Sequence, residues 1–232
     1  MSDLEILKEW GWDTHFSSQW EKSQVDRPVI PGRVIRQDRG LYKAIILQGE
    51  EVATVSCSLE GKYLAQCQNT GSFPGVGDWV VIARVGEEKG LICGLLDRKT
   101  VIKRHNPGRE AVSQVMAANI DTVFIVMALD GGRNFLLPLL ERCIAAGYES
   151  GAKPVILLNK TDLAEDGFLE EARIQAENVS FGLEVYPISA KTGYGLDLVA
   201  GHLVPGTTSC FLGKSGVGKT ALLNALGRKE GL

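Results

Sequence analysis

Residues 213–220 constrain the fold of this chain more than any other part of its sequence. They read G-K-S-G-V-G-K-T and match the pattern G-x-x-x-x-G-K-[S/T] at every fixed position. A short apolar run, 209–212, precedes them, and a helical pattern of alanine and leucine follows. A glycine-rich turn between a strand and a helix lets backbone N–H groups point inward around phosphate groups. The segment therefore predicts an α/β domain with a phosphate loop.

The phosphate loop supplies the first candidate site residues. We expect Lys219 to reach phosphate oxygens and the Thr220 hydroxyl to bind Mg²⁺, so these two are the candidate catalytic residues. The full predicted cradle comprises Gly213, Lys214, Ser215, Gly216, Val217, Gly218, Lys219, Thr220 and Ala221. A glycine-rich turn without a ligand is the structural alternative.

Strand-like and helix-like patterns alternate from residue 119 onward. Residues 120–129 form a nearly continuous apolar run, as expected for a buried parallel strand. Further strands are predicted at 154–158, 184–188 and 209–212, and helices at 134–149, 167–181, 196–203 and 220–226. This alternation predicts a doubly wound parallel sheet, which binds ligands at the carboxyl ends of its strands.

Two more polar loops follow predicted strands of this domain. Residues 159–162 read N-K-T-D, and residues 189–193 read S-A-K-T-G. Asp162 can accept hydrogen bonds from N1–H and the exocyclic amine of guanine, which adenine does not offer in that arrangement. The stems of Lys160 and Lys191 can cover the two faces of the purine. The predicted base-side contacts are Asn159, Lys160, Asp162, Ser189, Ala190 and Lys191.

The order of the three loops along the chain is unusual. Ordinary guanine-nucleotide hydrolases carry the phosphate loop first, whereas here it comes last. A circular permutation accounts for this order, because the site depends on where strand ends meet in space. A kinase that uses ATP is the alternative, and the N-K-T-D segment disfavours it.

The segment 31–98 predicts a separate all-β domain. Short runs rich in Val, Ile and Tyr alternate with turn residues, which predicts strands at 33–36, 42–48, 52–57, 63–68, 79–85 and 91–96. Such strands without a helix among them predict a small closed barrel of the OB type, with an SH3-like barrel as the alternative. Barrels of this kind bind oligonucleotides through basic and aromatic side chains.

Basic side chains suggest what the barrel binds. Residues 31–104 hold 11 basic and 8 acidic side chains, although the whole chain has a formal net charge of −3. The candidate RNA-binding residues on an exposed strand face are Arg33, Arg36, Arg39, Lys43, Lys62 and Arg84. Ordinary solvated surface charges are the alternative.

The remaining segments complete the predicted organisation. Leu4, Leu7, Trp10 and Trp12 lie near helical spacing and predict a short amphipathic helix, which we expect to face the core rather than a partner. Residues 99–118 are polar and read as a linker, in which His105 has no assigned role. The predicted parts are a helix with a connector at 1–30, the barrel at 31–98, the linker at 99–118 and the α/β domain at 119–232.

Composition excludes other classes of protein. Hydrophobic residues make up 44% of the chain, which is enough for a buried core. No apolar run approaches the ~20 residues of a transmembrane helix, and the N-terminus lacks the features of a secretory signal. The five cysteines are scattered without a C-x-x-C pair, so we expect reduced thiols in a cytoplasmic protein rather than metal ligands.

These features together resemble the circularly permuted bacterial GTPases of the YjeQ/RsgA family, the small ribosomal subunit biogenesis GTPases. The resemblance also includes P-G-R-V at 31–34, P-G-V-G-D at 74–78 and N-I-D at 119–121. It implies an OB barrel that contacts 16S rRNA, and hydrolysis of GTP to GDP and phosphate, stimulated by the 30S subunit during its late maturation. We expect GTP or GDP with Mg²⁺, a monomer, and no membrane partner.

The sequence departs from the family pattern at its C-terminal end. Beyond the phosphate loop, the family carries a switch I threonine, a D-x-P-G switch II and a zinc-binding domain. No D-x-x-G occurs in these 232 residues. We therefore expect a truncated piece of a longer protein, with Zn²⁺ only in the domain outside it. The alternative is a non-hydrolysing module that senses guanine nucleotide and binds RNA.

Overall fold

The computed structural model describes residues 3–23, 27–104, 114–131 and 134–230. The chain forms two compact units, which we call the barrel unit (Met1–Ile120 with Pro205–Thr208) and the α/β unit (Asp121–Val204 with Ser209–Leu232). None of the helices in the described ranges combines the length and the apolar character that a membrane crossing requires.

The elements of the barrel unit are a 3₁₀ helix (Asp3–Trp10), α1 (Thr14–Lys22), β1 (Ile30–Asp38), β2 (Leu41–Gln48), β3 (Glu51–Leu59), α2 (Gly61–Thr70), β4 (Trp79–Arg84), β5 (Lys89–Leu95), β6 (Val101–Arg104) and β7 (Gln114–Ala118). Those of the α/β unit are β8 (Thr122–Ala128), α3 (Leu137–Ser150), β9 (Lys153–Asn159), a 3₁₀ turn (Thr161–Leu163), α4 (Phe168–Ser180), β10 (Val185–Pro187), α5 (Leu196–Ala200), β11 (Ser209–Leu212) and α6 (Lys219–Glu230).

Five strands close into the predicted barrel, in the order β1-β2-β3-β5-β4. Neighbouring strands are antiparallel except β3 and β5, which run parallel. Irregularities between Val34 and Arg36, and between Val81 and Ile82, bend β1 and β4 as closure of a small barrel requires. The interior is filled by apolar side chains from all five strands, among them Val34, Ala44, Ile46, Val55, Val80, Ile82 and Ile92.

One strand prediction in the barrel is wrong, because residues 63–68 belong to helix α2. Tyr63 and Cys67 are the buried residues of this helix and pack into the barrel core. They are four residues apart, the interval that brings two side chains to one face of a helix. Gly71 ends the helix with a φ of +69°, a left-handed conformation that glycine adopts without strain.

The N-terminal segment forms a 3₁₀ helix and α1 instead of the single short helix predicted. Leu7, Trp12 and Phe16 are buried against Trp79 of β4, and the rings of Trp12 and Trp79 meet edge-on with centroids 4.7 Å apart. Burial of each large apolar side chain contributes about 1.5–3 kcal/mol. The predicted core-facing role is confirmed for Leu7 and Trp12, whereas Trp10 is exposed; the side chain of Leu4 lies outside the described residues.

A buried ion pair fixes the turn before β4. The fully buried Asp78 carboxylate accepts hydrogen bonds from Nε and Nη2 of Arg98, at 2.8 and 2.7 Å, and from the N–H of Gly75 at 2.7 Å. Nη2 of Arg98 also donates to the carbonyl of Phe73. The P-G-V-G-D segment is therefore held by an internal ion pair with several hydrogen bonds.

Arg33 is buried, so the prediction that it lies on an exposed face of the barrel is wrong. Its guanidinium donates to the backbone oxygens of Trp10, Gly77 and Asn119 and to the hydroxyl of Thr208, the last at 2.7 Å. Burial of a charged group is costly unless hydrogen bonds replace those it makes with water. Here Arg33 ties together segments that are distant in sequence within the barrel unit.

Part of the predicted linker has regular structure. Strands β6 and β7 pair antiparallel as a two-stranded sheet. Asn119 follows β7, and its side chain accepts a hydrogen bond from the N–H of Lys99 at 2.9 Å and donates to the carbonyl of Gly77 at 3.0 Å. His105 lies outside the described residues.

The α/β unit contains the predicted parallel sheet, and the structure gives its strand order as β10-β9-β8-β11. Strand β8 is buried over its whole length, which explains its continuous apolar sequence. Leu196 and Val199 of α5 and Leu222 and Leu226 of α6 pack in one core with side chains of the central strands. Helices α3 and α4 contact each other and strands β8, β9 and β10.

Candidate functional site

Three polar loops follow strands of the α/β unit. Residues 160–162 follow β9, which ends at Asn159; residues 188–193 follow β10, and residues 213–218 connect β11 to α6. Since the four strands are parallel, their carboxyl ends share one edge of the sheet. Hydrogen bonds among the loops show that they meet there, as the sequence predicts.

Asn159 joins all three loops. Its side chain is buried; Nδ2 donates to the carbonyl of Val217 at 2.8 Å, and Oδ1 accepts from the N–H of Ala190 at 3.1 Å. A Cβ atom on Gly218 would lie 2.5 Å from this same Nδ2, so the approach requires glycine. The amide therefore links the base-side loops to the phosphate loop.

The phosphate loop has the backbone that its glycines permit. Gly213 has a φ of +148°, and a Cβ atom there would lie 2.4 Å from the carbonyl oxygen of Val126. Val217 is fully buried and anchors the loop in the core. The Lys219 ammonium donates to the carbonyls of Gly213 and Lys214 at 2.8 and 2.9 Å, so it lies across the loop. Since α6 begins at Lys219, its N-terminal N–H groups face this loop.

Asp162 is held as a carboxylate. The Ser189 hydroxyl donates to Oδ1 at 2.6 Å, and Nζ of Lys191 lies 3.7 Å from Oδ2. The hydrogen bond from Ser189, with a weaker influence of the Lys191 charge, holds the pKa of the Asp162 carboxyl below its usual range. An ionised carboxylate only accepts hydrogen bonds, as recognition of two guanine N–H groups requires.

Lys160 has a partner that sequence reasoning missed. Its ammonium donates to Oδ2 of Asp130 at 2.8 Å, and the amide of Asn134 donates to both oxygens of that carboxylate. Burial raises the pKa of the Asp130 carboxyl, but the bonds from Lys160 and Asn134 outweigh it and lower the pKa overall. The sequence indicated the position of Asp130 but not its pairing, because Asp130 follows the apolar run 120–129 as the predicted loops follow their strands.

Thr220 is exposed in the first turn of α6, next to the phosphate loop. A hydroxyl oxygen there fits Mg²⁺, which uses few protein ligands and takes most of its oxygens from phosphates and water. In the parts of the chain that the structure describes, no three His, Cys, Asp or Glu side chains come together to hold a metal. The zinc predicted for a further domain concerns residues outside this sequence and stays a prediction.

The other basic candidates lie on the surface of the barrel unit. Arg36, Arg39, Lys43, Lys62 and Arg84 are all exposed. Arg36 pairs with Asp38 at 2.5 Å, and Arg84 donates to the backbone carbonyls of residues 86 and 87. Lys43 lines a cavity of about 390 Å³ at strands β2, β3 and β5 together with Lys89.

The sequence model of one protein family, RsgA GTPase, matches residues 95–232. The chain is 36% identical over 231 residues to the small ribosomal subunit biogenesis GTPase RsgA of Syntrophotalea carbinolica, covering 97% of this chain and 61% of that protein. It is 38% identical over 197 residues to RsgA 2 of Lactiplantibacillus plantarum, covering 85% of this chain and 53% of that protein. The chain thus spans between half and two thirds of the length of these relatives.

Two solved structures resemble this one. The crystal structure of YjeQ from Thermotoga maritima superposes with a TM-score of 0.67 at 25% identity, covering 86% of this chain and 65% of that chain. The structure of YloQ, described as a circularly permuted GTPase, superposes with a TM-score of 0.58 at 24% identity, covering 87% and 66%. Each match covers more than four fifths of this chain and therefore includes residues of both units.

Proposed function

Because the chain belongs to the RsgA GTPase family, we propose that it binds GTP and GDP at the three loops of the α/β unit and hydrolyses GTP to GDP and phosphate. The observation that carries this proposal is the pair of hydrogen bonds that the Asn159 side chain makes, donating to the carbonyl of Val217 and accepting from the N–H of Ala190. They join the base-side loops to the phosphate loop, and a mononucleotide must contact both.

Base selectivity comes from the loops after β9 and β10. The Asp162 carboxylate accepts from N1–H and the exocyclic amine of guanine, while the backbone N–H near Ala190 approaches O6. Adenine would leave the carboxylate without hydrogen-bond donors. A site whose polar group requires a partner strongly rejects a ligand that lacks it. The stems of Lys160 and Lys191 cover the faces of the ring. The hydrogen bond from Ser189 supports this role, since it lowers the pKa of Asp162 and stabilises the ionised form that accepts both donors.

The phosphate side supplies charge and orientation. The N–H groups of residues 213–221 and the N-terminus of α6 hold the phosphates, and Lys219 exchanges its two carbonyl contacts for phosphate oxygens. Thr220 would hold Mg²⁺, which supplies charge neutralisation at the phosphates when bound. Hydrolysis is an in-line attack of water on the γ-phosphate, a reaction catalysed mainly by positioning and charge stabilisation.

We further propose that the barrel contacts 16S rRNA and that the 30S subunit stimulates hydrolysis during late maturation of that subunit. The names of the relatives support a role at the small ribosomal subunit. Within the barrel, the exposed Arg36, Arg39, Lys43, Lys62 and Arg84 are the candidate contacts, since nucleic-acid binding relies on exposed cations. This role would place the protein in the cytoplasm.

A non-hydrolysing module that senses guanine nucleotide is the second candidate. These 232 residues contain no D-x-x-G segment, the segment that GTPases place near Mg²⁺ and the attacking water. Single-turnover hydrolysis by the complete gene product, with and without 30S particles, separates the two. Stimulation by the particle supports the enzyme, and its absence contradicts the ribosomal role.

Asp162→Ala tests the guanine site directly. Loss of two hydrogen bonds to a charged group is expected to weaken GDP binding by about 100-fold and to abolish the preference over ADP. Competition of GDP and ADP against a fluorescent guanine nucleotide measures both effects.

The matched control is Asp166→Ala, which removes an exposed carboxylate four residues away. This variant should keep the affinity and selectivity of the unaltered chain. If Asp162→Ala still prefers GDP over ADP as strongly as before, the assignment of the guanine site is wrong.

A further inference from the structure

Asp130, Asn134 and Lys160 form a small polar cluster at the carboxyl edge of the sheet. Nζ of Lys160 donates to Oδ2 of Asp130 at 2.8 Å, and Nδ2 of Asn134 donates to the two carboxylate oxygens at 3.1 and 2.9 Å. An isolated β-bridge between Ala128 and Asn134 fixes the asparagine. The side chains of Lys160 and Asp130 are only 26% and 19% exposed, so the pair is largely shielded from water.

The backbone of Lys160 is also fixed. Its φ is +65°, a left-handed conformation that costs a residue with a side chain about 1–2 kcal/mol. The next N–H, of Thr161, donates to the carbonyl of Ile188 and holds the turn. A Cβ atom on Gly218 would lie 3.9 Å from Cε of Lys160. The lysine side chain therefore passes beside the phosphate loop on its way to Asp130.

We infer that Asp130 is a positioning residue for the guanine nucleotide, which holds the Lys160 side chain beside the phosphate loop so that its stem forms one wall of the base pocket. This inference rests on the proposed nucleotide binding and adds a residue outside the three loops. Without the carboxylate, the lysine regains rotamer freedom, and ligand binding must order it again. Asn134 acts one step further out, because it orients the carboxylate.

Asp130→Asn tests the inference, because it removes the charge and keeps the shape of the side chain. We expect GDP to bind about fivefold more weakly, mainly because it dissociates faster. A loss of this size corresponds to the free energy that a partly exposed ion pair contributes. Asp130→Glu retains the carboxylate and should restore most of the affinity. Glu170→Gln, which removes a carboxylate from an exposed ion pair on α4, is the matched control and should leave GDP binding unchanged.

A second background shows whether Asp130 acts through Lys160. Lys160→Met keeps an apolar stem but lacks the ammonium, so adding Asp130→Asn to it should cause no further loss of GDP affinity. If Asp130 had a purely structural role, Asp130→Asn would reduce GDP affinity equally in the chain with Lys160 and in the Lys160→Met chain. Stopped-flow dissociation of a fluorescent GDP from the four chains of this cycle provides the measurement.

The outcomes separate the inference from the function on which it rests. Equal GDP affinity of the unaltered chain and Asp130→Asn, or an equal loss in both backgrounds, overturns the inference and leaves guanine-nucleotide binding intact. An unaltered chain that binds GDP no better than ADP overturns the proposed function and the inference with it. A loss confined to the background that retains Lys160 supports both.

Discussion

Replacing Asp78 by asparagine tests the ion pair that holds the turn before β4. The carboxylate is fully buried and accepts hydrogen bonds from Arg98 and from the N–H of Gly75. The amide of the asparagine would place its own N–H groups against at least one of these donors. It would also leave the Arg98 guanidinium, whose side chain is only 13% exposed, without its counter-charge. Loss of one partner of a buried ion pair costs about 3–5 kcal/mol, so the free energy of unfolding of the barrel unit should fall by about 4 kcal/mol.

Tryptophan fluorescence reports on this unit selectively, because all four tryptophans (Trp10, Trp12, Trp20 and Trp79) belong to it. Unfolding in urea changes the free energy by about 2 kcal/mol per molar denaturant in a domain of this size. The expected loss therefore lowers the unfolding midpoint by about 2 M urea, or leaves the unit unfolded in buffer if its stability is small. Both results are visible in the same titration.

Two further variants complete this test. Asp38→Asn breaks the exposed pair with Arg36, whose side chains are 60% and 65% exposed, and should cost less than about 1 kcal/mol. Arg98→Lys keeps the positive charge but cannot donate two hydrogen bonds to the Asp78 carboxylate. Its loss in free energy of unfolding should therefore lie between those of Asp38→Asn and Asp78→Asn. A midpoint for Asp78→Asn that coincides with that of Asp38→Asn would refute the reasoning.

Two predictions concern the nucleotide site. Asn159→Ala leaves the carbonyl of Val217 and the N–H of Ala190 without their hydrogen-bond partner, which costs about 1–3 kcal/mol for each group. GDP should therefore bind at least tenfold more weakly, and amide hydrogen exchange should accelerate in both loops. Exchange protection equal to that of the unaltered chain would contradict this expectation. Ser189→Ala removes the main cause of the low pKa of Asp162, so that pKa should rise toward the ordinary range of an aspartate. Under the proposed function the ionised form of Asp162 binds guanine, so GDP affinity should be retained above the pKa and lost as the pH falls through it. The loss should begin at a higher pH in this variant. Titrations of GDP binding from neutral to acidic pH check this, and superimposable profiles of the two chains would count against it.

The α/β unit was largely predictable from the sequence. Its central strands β8 and β9 are buried along nearly their whole length, so they read as continuous apolar runs, and each polar loop follows a strand of the sheet. The meeting of the loops was predictable as well, because parallel strands bring their carboxyl ends to one edge. The close contact of Gly218 with Asn159 also explains why the phosphate loop needs a glycine at that position.

The missed features depend on tertiary contacts. Arg33 has the sequence pattern of a surface cation, and its burial depends on carbonyl groups supplied by distant segments. Helix α2 buries only Tyr63 and Cys67, which is too few apolar residues to distinguish a helix from a strand in that stretch. The contact of Lys160 with Asp130 spans 30 residues, and no local spacing indicates such a pairing.

The late position of the phosphate loop affects how the site is assembled during translation. Ribosomes add about 5–20 residues per second, and domains begin to fold as they emerge. A nascent chain that has reached Ala190 already holds the segments proposed to recognise the base, whereas the carbonyl of Val217 that pairs with Asn159 is synthesised later. Until then the Asn159 amide lacks one of its two hydrogen bonds, and the proposed cradle for phosphates does not yet exist. Under the proposed function, nucleotide binding has to wait until strand β11 has joined the sheet beside β8.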